Sequence, residues 1–215
     1  MEERPLLGVA FLLLLALPPW FGLVGCLRRG KPAAGAAVVV LWSLALNLAL
    51  ALLESWFPGF CRVLIPGAAA YSQEMMQWVR TGVGCEGEWS CFVPQHLWHL
   101  AVFAAATVAT GGLGGLAVAG VLFGWMGAYT GELARWTGNS WAYLLGWHPW
   151  ALLRVVAYVL IGVGLSEVMV HKSASRLWLR RRWWVAGLLF WFADLLMKGV
   201  LAQRWRTYLI AWLLP

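Results

Sequence analysis

The sequence predicts an all-α protein, a polytopic integral membrane bundle of about six transmembrane helices that forms a single domain over residues 1–215. Of the 215 residues, 62% are hydrophobic and only 12% are charged. The mean hydropathy of +0.73 is well above that of soluble domains. The 17 Trp residues suit repeated crossings of the interface between membrane and water. This composition fits poorly with a soluble enzyme, a disordered chain or a nucleic-acid-binding module, despite the net charge of +7.

Six apolar runs are long enough to cross a bilayer core of roughly 30 Å. The predicted spans are residues 6–27, 34–57, 92–110, 113–131, 149–170 and 183–203. Pro18 and Pro19 are expected to break or kink the first helix, because proline removes a donor and clashes with the preceding turn. A short glycine-rich turn joins the third and fourth spans into a tight hairpin. The apolar tail 208–214 is too short for another crossing and is expected to lie in the interface.

Lys and Arg near the span ends predict the orientation, because these side chains resist translocation. The connections after the first and fifth spans carry eight of them: Arg28, Arg29, Lys31, Lys172, Arg176, Arg180, Arg181 and Arg182. Both connections are therefore expected in the cytoplasm and both termini outside, in the cytoplasmic (inner) membrane of a prokaryote. A cleaved signal peptide is the alternative for the first span, but its positive charge follows the apolar stretch instead of preceding it.

The long connection 58–91 contains three of the four Cys and is expected to face an oxidising compartment. Cys85 and Cys91 flank a short segment that can close into a disulfide, although Cys61 is an alternative partner for either. A redox dithiol is disfavoured, because its usual spacing is Cys-x-x-Cys. Between Leu64 and Val79 apolar residues recur with helical spacing, which predicts a helix on the outer leaflet or a lid that binds a partner.

Four ionisable residues lie inside the predicted spans, where charge is costly and marks a candidate site. Asp194 and Lys198 are one turn apart on the sixth span, and Arg154 has a similar depth in the fifth. One carboxylate would then face two cations. The simplest interpretation is a cluster that holds two helices together; a proton or substrate relay and an anion site are the alternatives. Glu167, near the cytoplasmic end of the fifth span, is expected to point toward Lys172.

Three His residues on the predicted outer side form a second candidate site. His96 and His99 begin the third span and His148 precedes the fifth, so all three can meet at one depth beside an outer Glu. Such a group can bind zinc or a haem iron. The sequence lacks the defining zinc and haem motifs, so no cofactor is predicted, and haem or zinc stays an alternative.

The fourth span carries glycines with the spacing of closely packed helices: Gly120, Gly124, Gly127 and Gly131. Spacing alone leaves open whether the neighbouring helix belongs to this chain or to another subunit. Asn47 in the second span is expected to form a hydrogen bond between helices.

Three further segments carry a resemblance to a known family. Gln95-His96 precede the third span, Phe123-Gly124-Trp125-Met126-Gly127 lie in the fourth, and His148-Pro149 open the fifth. From residue 34 onward this layout resembles the stage II sporulation protein M family of multi-spanning proteins. The resemblance implies a non-enzymatic membrane component that holds partners in an envelope complex or accompanies a transport system.

The function hypotheses follow from these features. Enzymatic activity is disfavoured, because the sequence has no nucleotide-binding loop, nucleophile elbow or intramembrane protease motif. The first hypothesis is a scaffold or accessory subunit that contacts the lipid bilayer and other membrane proteins, and no nucleic acid. The second is a transporter of a small solute or lipid that uses the intramembrane charges. The third is a haem-handling or redox-chain protein, suggested by Trp141, Trp147 and Trp150 around His148.

Overall fold

A computed structural model describes residues 5–173, 175–179 and 181–214. Its helices are α1 (Pro5–Arg28), α2 (Pro32–Trp56), α3 (Phe60–Leu64), α4 (Ala68–Thr81), α5 (Trp89–Thr110), α6 (Leu113–Thr137), α7 (Ala142–Leu145), α8 (Pro149–His171), α9 (Ser175–Leu179) and α10 (Arg181–Leu213). The described residues form no strand. Six helices, α1, α2, α5, α6, α8 and α10, are long and apolar enough to span a membrane. The prediction of an all-α polytopic bundle is confirmed.

The six long helices alternate in direction, so the bundle has two distinct ends. At one end, which we call the basic end, the connections after α1, α5 and α8 lie together. His171 at the end of α8 is 3.2 Å from the Leu27 carbonyl oxygen, and the Trp20 indole donates to the Gly111 carbonyl. The opposite end, which we call the loop end, carries α3, α4 and α7. Seven of the eight predicted cytoplasmic cations therefore lie at the basic end, and Arg180 lies outside the described residues.

Helix α6 lies at the centre of the bundle, in contact with α1, α2, α4 and α5. Its glycines make this possible, because a side chain at these positions would strike a neighbouring helix. A Cβ at Gly127 would lie 2.8 Å from the Leu50 Cβ, and one at Gly131 would lie 2.5 Å from the Ala51 carbonyl oxygen. Gly120 and Gly124 likewise face Leu12 and Ile65. The helices packed on this glycine face belong to the same chain.

Helix α1 runs without interruption through Pro18 and Pro19, where a break or kink is expected from the sequence. Pro19 has no N–H to donate to the carbonyl of Leu15, one turn earlier. The Trp42 indole of α2 donates to that carbonyl instead, at 3.1 Å. A neighbouring helix thus replaces the lost hydrogen bond, which allows proline to remain inside a membrane helix.

Helix α10 has 33 residues and is about 50 Å long at 1.5 Å per residue, well beyond a bilayer core of roughly 30 Å. The tail predicted to lie separately in the interface is the end of this helix. Arg206 fixes its position, because the guanidinium donates to the carbonyls of Trp78, Val79 and Arg80 at 2.8 to 2.9 Å. These carbonyls lie in the last turn of α4, where the carbonyls of a helix run out of intrahelical partners; the Trp78 carbonyl also accepts from the N–H of Gly82.

Helix α4 is the amphipathic helix predicted in the long connection, but its environment differs from a lipid surface. Met75, Met76, Trp78 and Val79 are buried and pack with residues of α6 and α10. The apolar face of α4 therefore covers the loop end of the bundle instead of lying on the outer leaflet.

Candidate functional site

Two ion pairs lie side by side near the loop end of the bundle. The first joins α8 to α10: Arg154 Nε and Nη2 donate to both carboxylate oxygens of Asp194 at 2.9 and 3.0 Å. Asp194 is fully buried. This bidentate contact is the arrangement in which arginine and a carboxylate interact most strongly. Arg154 and Asp194 thus meet as the sequence predicts.

Lys198 is bound by a different carboxylate from the predicted one. Its Nζ lies 2.8 Å from Oε2 of Glu86, which belongs to a short 3-10 turn at Cys85–Gly87. Arg154 donates to both oxygens of Asp194, whereas the ion pair of Lys198 is with Glu86. The expectation of one carboxylate facing two cations is therefore wrong: two carboxylates face two cations.

The Cys85–Cys91 disulfide is present and joins the Glu86 turn to the start of α5, with 5.3 Å between the Cα atoms. Cys61, the alternative partner, is buried and unpaired. The crosslink restricts the turn to a position directly over α10. Glu86, which lies between the two cysteines, is buried.

Two aromatic residues complete the surroundings of Glu86. The Trp150 indole donates to Oε1 at 2.9 Å, and His148 Nδ1 lies 3.5 Å from the same oxygen. Burial raises the pKa of the Glu86 carboxyl, but Lys198 and His148 more than offset this and lower the pKa to about 2. Burial lowers the pKa of His148 to about 4, against the opposing effect of Glu86. His148 is therefore neutral at pH 7.

The other two predicted His residues lie near the Arg154–Asp194 pair. His96 Nε2 is 3.9 Å from Asp194 Oδ2, and the centroids of the His96 and His99 rings are 6.3 Å apart. Within the described ranges, no group of three or more His, Cys, Asp or Glu side chains could hold a metal ion. Haem or zinc binding stays an untested alternative.

Glu167 lies far from these ion pairs. Its Oε1 is 3.3 Å from Arg176 Nη1 of α9, at the basic end. On α8 it is thirteen residues beyond Arg154, which corresponds to about 20 Å. The expectation that Glu167 points toward Lys172 is wrong, because α9 brings Arg176 back against the end of α8.

A cavity of about 100 Å³ lies inside the bundle next to the ion pairs. Helix α8 lines it with residues four apart, which share one helix face: Arg154, Tyr158, Gly162 and Ser166. Arg154 and Ser166 are twelve residues apart, which corresponds to about 18 Å along α8. The cavity is thus more than half as long as a bilayer core of roughly 30 Å is thick. Its loop end is covered by α4 and the Glu86 turn, which contribute Tyr71, Glu74, Cys85 and Glu86.

Three polar side chains that line this cavity have no hydrogen-bond partner among the described residues. They are His96, through both ring nitrogens, and the hydroxyl groups of Tyr158 and Ser166. Buried polar atoms are almost always paired, because an unpaired one costs about 1–3 kcal/mol. The unpaired polar groups along this cavity are therefore available to bind water or a ligand.

Several residues of this site have no clear signal in the sequence. Glu86 lies in a loop and finds Lys198 only in three dimensions. The spacing from Arg154 to Ser166 is visible in the sequence, but only the structure shows that this face lines a cavity. Asn47, by contrast, acts as predicted: its amide donates to the Phe123 carbonyl and accepts from the Trp147 indole.

The chain matches no protein-family model, no curated protein and no solved structure.

Proposed function

We propose that this membrane protein binds a small solute or lipid inside its helical bundle and carries it between the two ends. The observation that supports this function is the cavity, about 18 Å long, with unpaired polar groups at His96, Tyr158 and Ser166. A protein that serves only as a scaffold needs no such cavity. The transporter hypothesis from the sequence therefore takes precedence over the subunit hypothesis.

The ion pairs contribute by fixing the walls of the cavity and by controlling access. Arg154 and Asp194 hold α8 against α10, so the wall that carries Tyr158 keeps its position. Glu86 and Lys198 hold the disulfide-linked turn over the loop end. Entry from that end requires the turn to move away from Lys198. If the Asp194→Asn variant retains transport, a proton relay through this carboxylate is excluded.

The proposed location is the cytoplasmic membrane of a prokaryote, with the basic end in the cytoplasm. This orientation rests on the positive-inside rule. It also agrees with the Cys85–Cys91 disulfide at the loop end, because disulfides persist in the oxidising environment outside the cytoplasm.

The first test is to extract the protein gently from its membrane and identify small molecules bound to it by mass spectrometry. Val155→Phe places a large ring in the cavity, since Val155 lines it. Val156→Phe is the matched control on the lipid-exposed side of the same helix. We expect the bound molecule to be lost from Val155→Phe and retained by Val156→Phe. Equal occupancy of both variants, or no bound molecule in either, would contradict the proposal.

The same sample tests the two other hypotheses from the sequence. Polypeptides that copurify in fixed proportion would support a subunit of a larger assembly, the function that the family resemblance implies. A Soret band in the absorbance spectrum would support haem binding.

A further inference from the structure

We infer that the cavity takes an uncharged amphiphile with one hydrocarbon chain and a hydroxyl head group, and that the head group binds at His96 and Tyr158. The inference rests on the proposed function and specifies the chemical class of its ligand. Three separate features of the cavity support it: the balance of charges, the unpaired hydrogen-bonding atoms and the apolar length beyond them.

The charges at the loop end of the cavity argue against an anionic head group. Arg154 and Lys198 are already neutralised by Asp194 and Glu86. Glu74 adds a further carboxylate to the lining, where its Oε1 accepts a hydrogen bond from the backbone N–H of Cys85. Two cations thus face three carboxylates, so a phosphate or carboxylate head would meet no unpaired cation and one surplus negative charge.

The unpaired atoms of His96 argue against a head group that only donates or only accepts. A neutral imidazole has one N–H donor and one acceptor nitrogen, and both nitrogens of His96 lack a partner. An ammonium group offers donors alone and cannot pair with the N–H. A hydroxyl group can do both. The Tyr158 hydroxyl provides a second donor or acceptor on the facing helix.

Beyond Tyr158 the cavity is lined mainly by apolar side chains over the remaining turns of α8, as far as the unpaired hydroxyl group of Ser166. Its walls there include Val159 and Val163 of α8 and Leu116 of α6. The hydroxyl groups of Ser43 and Thr107 also line it, but each donates to a carbonyl of its own helix, Val39 and Phe103. A narrow cavity with such walls suits one hydrocarbon chain.

The experiment compares three photoreactive probes with the same chain and different heads: dodecanol, dodecyl phosphate and dodecylammonium. Each is crosslinked to the full-length protein in phosphatidylcholine nanodiscs, and labelled peptides are quantified by mass spectrometry. We expect dodecanol to reach half-maximal labelling at a concentration at least tenfold lower than either charged probe. Val155→Phe should abolish this labelling and Val156→Phe should leave it unchanged.

Variants of the residues assigned to bind the head group test these contacts. His96→Leu should weaken dodecanol labelling about tenfold, because a hydrogen bond to the head is lost, whereas His96→Gln keeps a donor and an acceptor and should weaken it less. Tyr158→Phe removes only a hydroxyl group, so it tests the head contacts even if the His96→Leu variant fails to fold. We expect it to weaken dodecanol labelling several-fold.

The outcomes separate this inference from the proposed function. Stronger labelling by a charged probe that is still blocked by Val155→Phe would overturn the uncharged head while supporting a ligand cavity. Equal labelling of wild type, His96→Leu and Tyr158→Phe would overturn the assigned head contacts. Labelling by none of the probes, or labelling insensitive to Val155→Phe, would overturn the inference, and the occupancy measurement on the extracted protein would then test the proposed function independently.

Discussion

The Glu86–Lys198 ion pair is buried, so the loss of one partner affects stability far more than the formation of the pair does. Both side chains are more than nine-tenths buried, and the two residues come from distant parts of the chain. Forming such a pair gains little net free energy, because both ions lose their hydration. Removing one partner alone is much worse, since the other charge remains buried without compensation.

We therefore expect Lys198→Met to destabilise the protein by about 3–5 kcal/mol. The Lys198→Met/Glu86→Gln double variant should recover much of this loss, because no unpaired charge remains. Thermal unfolding in detergent, measured for both single variants and the double, gives the coupling between the two sites. Additive losses in the double variant would show that the pair does not interact.

His148 predicts a dependence of stability on pH. Its pKa is about 4 in the folded protein and near 6.5 in the unfolded chain. Because the folded-state pKa is depressed, the contribution is fully present above about pH 7 and is lost as pH falls from 6.5 toward 4. Melting temperatures across this range should fall in the wild type and fall less in His148→Asn.

His171→Asn is the matched control for that measurement, because His171 ends the helix that His148 precedes, at the opposite end of the bundle. The control should follow the wild-type curve. A wild-type curve that is flat between pH 6.5 and pH 4 would contradict the burial of a neutral His148 beside Glu86.

At the scale of elements, close packing of α6 determines the shape of the bundle. Glycine has no side chain, so two helix backbones can approach closely at its position. The two helices then gain dispersion contacts over a wide area. Gly131 approaches the backbone of α2, which cannot move aside as a flexible side chain can. The central position of α6 therefore depends on glycine at specific turns.

Gly131→Ala tests this dependence. We expect a loss of about 1–3 kcal/mol, because the added Cβ would lie 2.5 Å from the Ala51 carbonyl oxygen and force the helices apart. Gly25→Ala is the control: it lies in α1 with nothing within 4 Å of the added Cβ, so it should be neutral or stabilising by up to about 1 kcal/mol. Equal melting temperatures for the two variants would contradict the packing.

At the scale of the whole molecule, the distribution of charge between the two ends predicts its orientation in the membrane. Ser140 lies in the connection after α6, at the loop end, and Ser175 lies in α9, at the basic end. Both are exposed. In a Cys26→Ser background, a membrane-impermeant maleimide should label Ser140→Cys in intact bacterial cells and Ser175→Cys only after the membrane is opened. The reverse pattern would invert the topology.

The helices follow from the sequence more directly than their ends do. Apolar runs and connecting glycines predict all six long helices, because a membrane span must satisfy its own backbone hydrogen bonds over a fixed thickness. The boundaries move where polar residues continue a helix beyond the membrane, as in α10, whose Arg206 finds carbonyls of α4. The unbroken α1 depends in the same way on Trp42, a residue of another helix.

For this protein the sequence alone determined the fold class, the number of long apolar helices, the Cys85–Cys91 pairing as its favoured choice and the residues that carry charge into the membrane. Each of these depends on composition or on residues close together in the chain. The tertiary structure decided which charges pair and what the helices enclose. Glu86 meets Lys198 across more than a hundred residues, and the unpaired side chains of His96, Tyr158 and Ser166 share one cavity. Contacts of this kind depend on how helices pack, and local patterns carry no information about them.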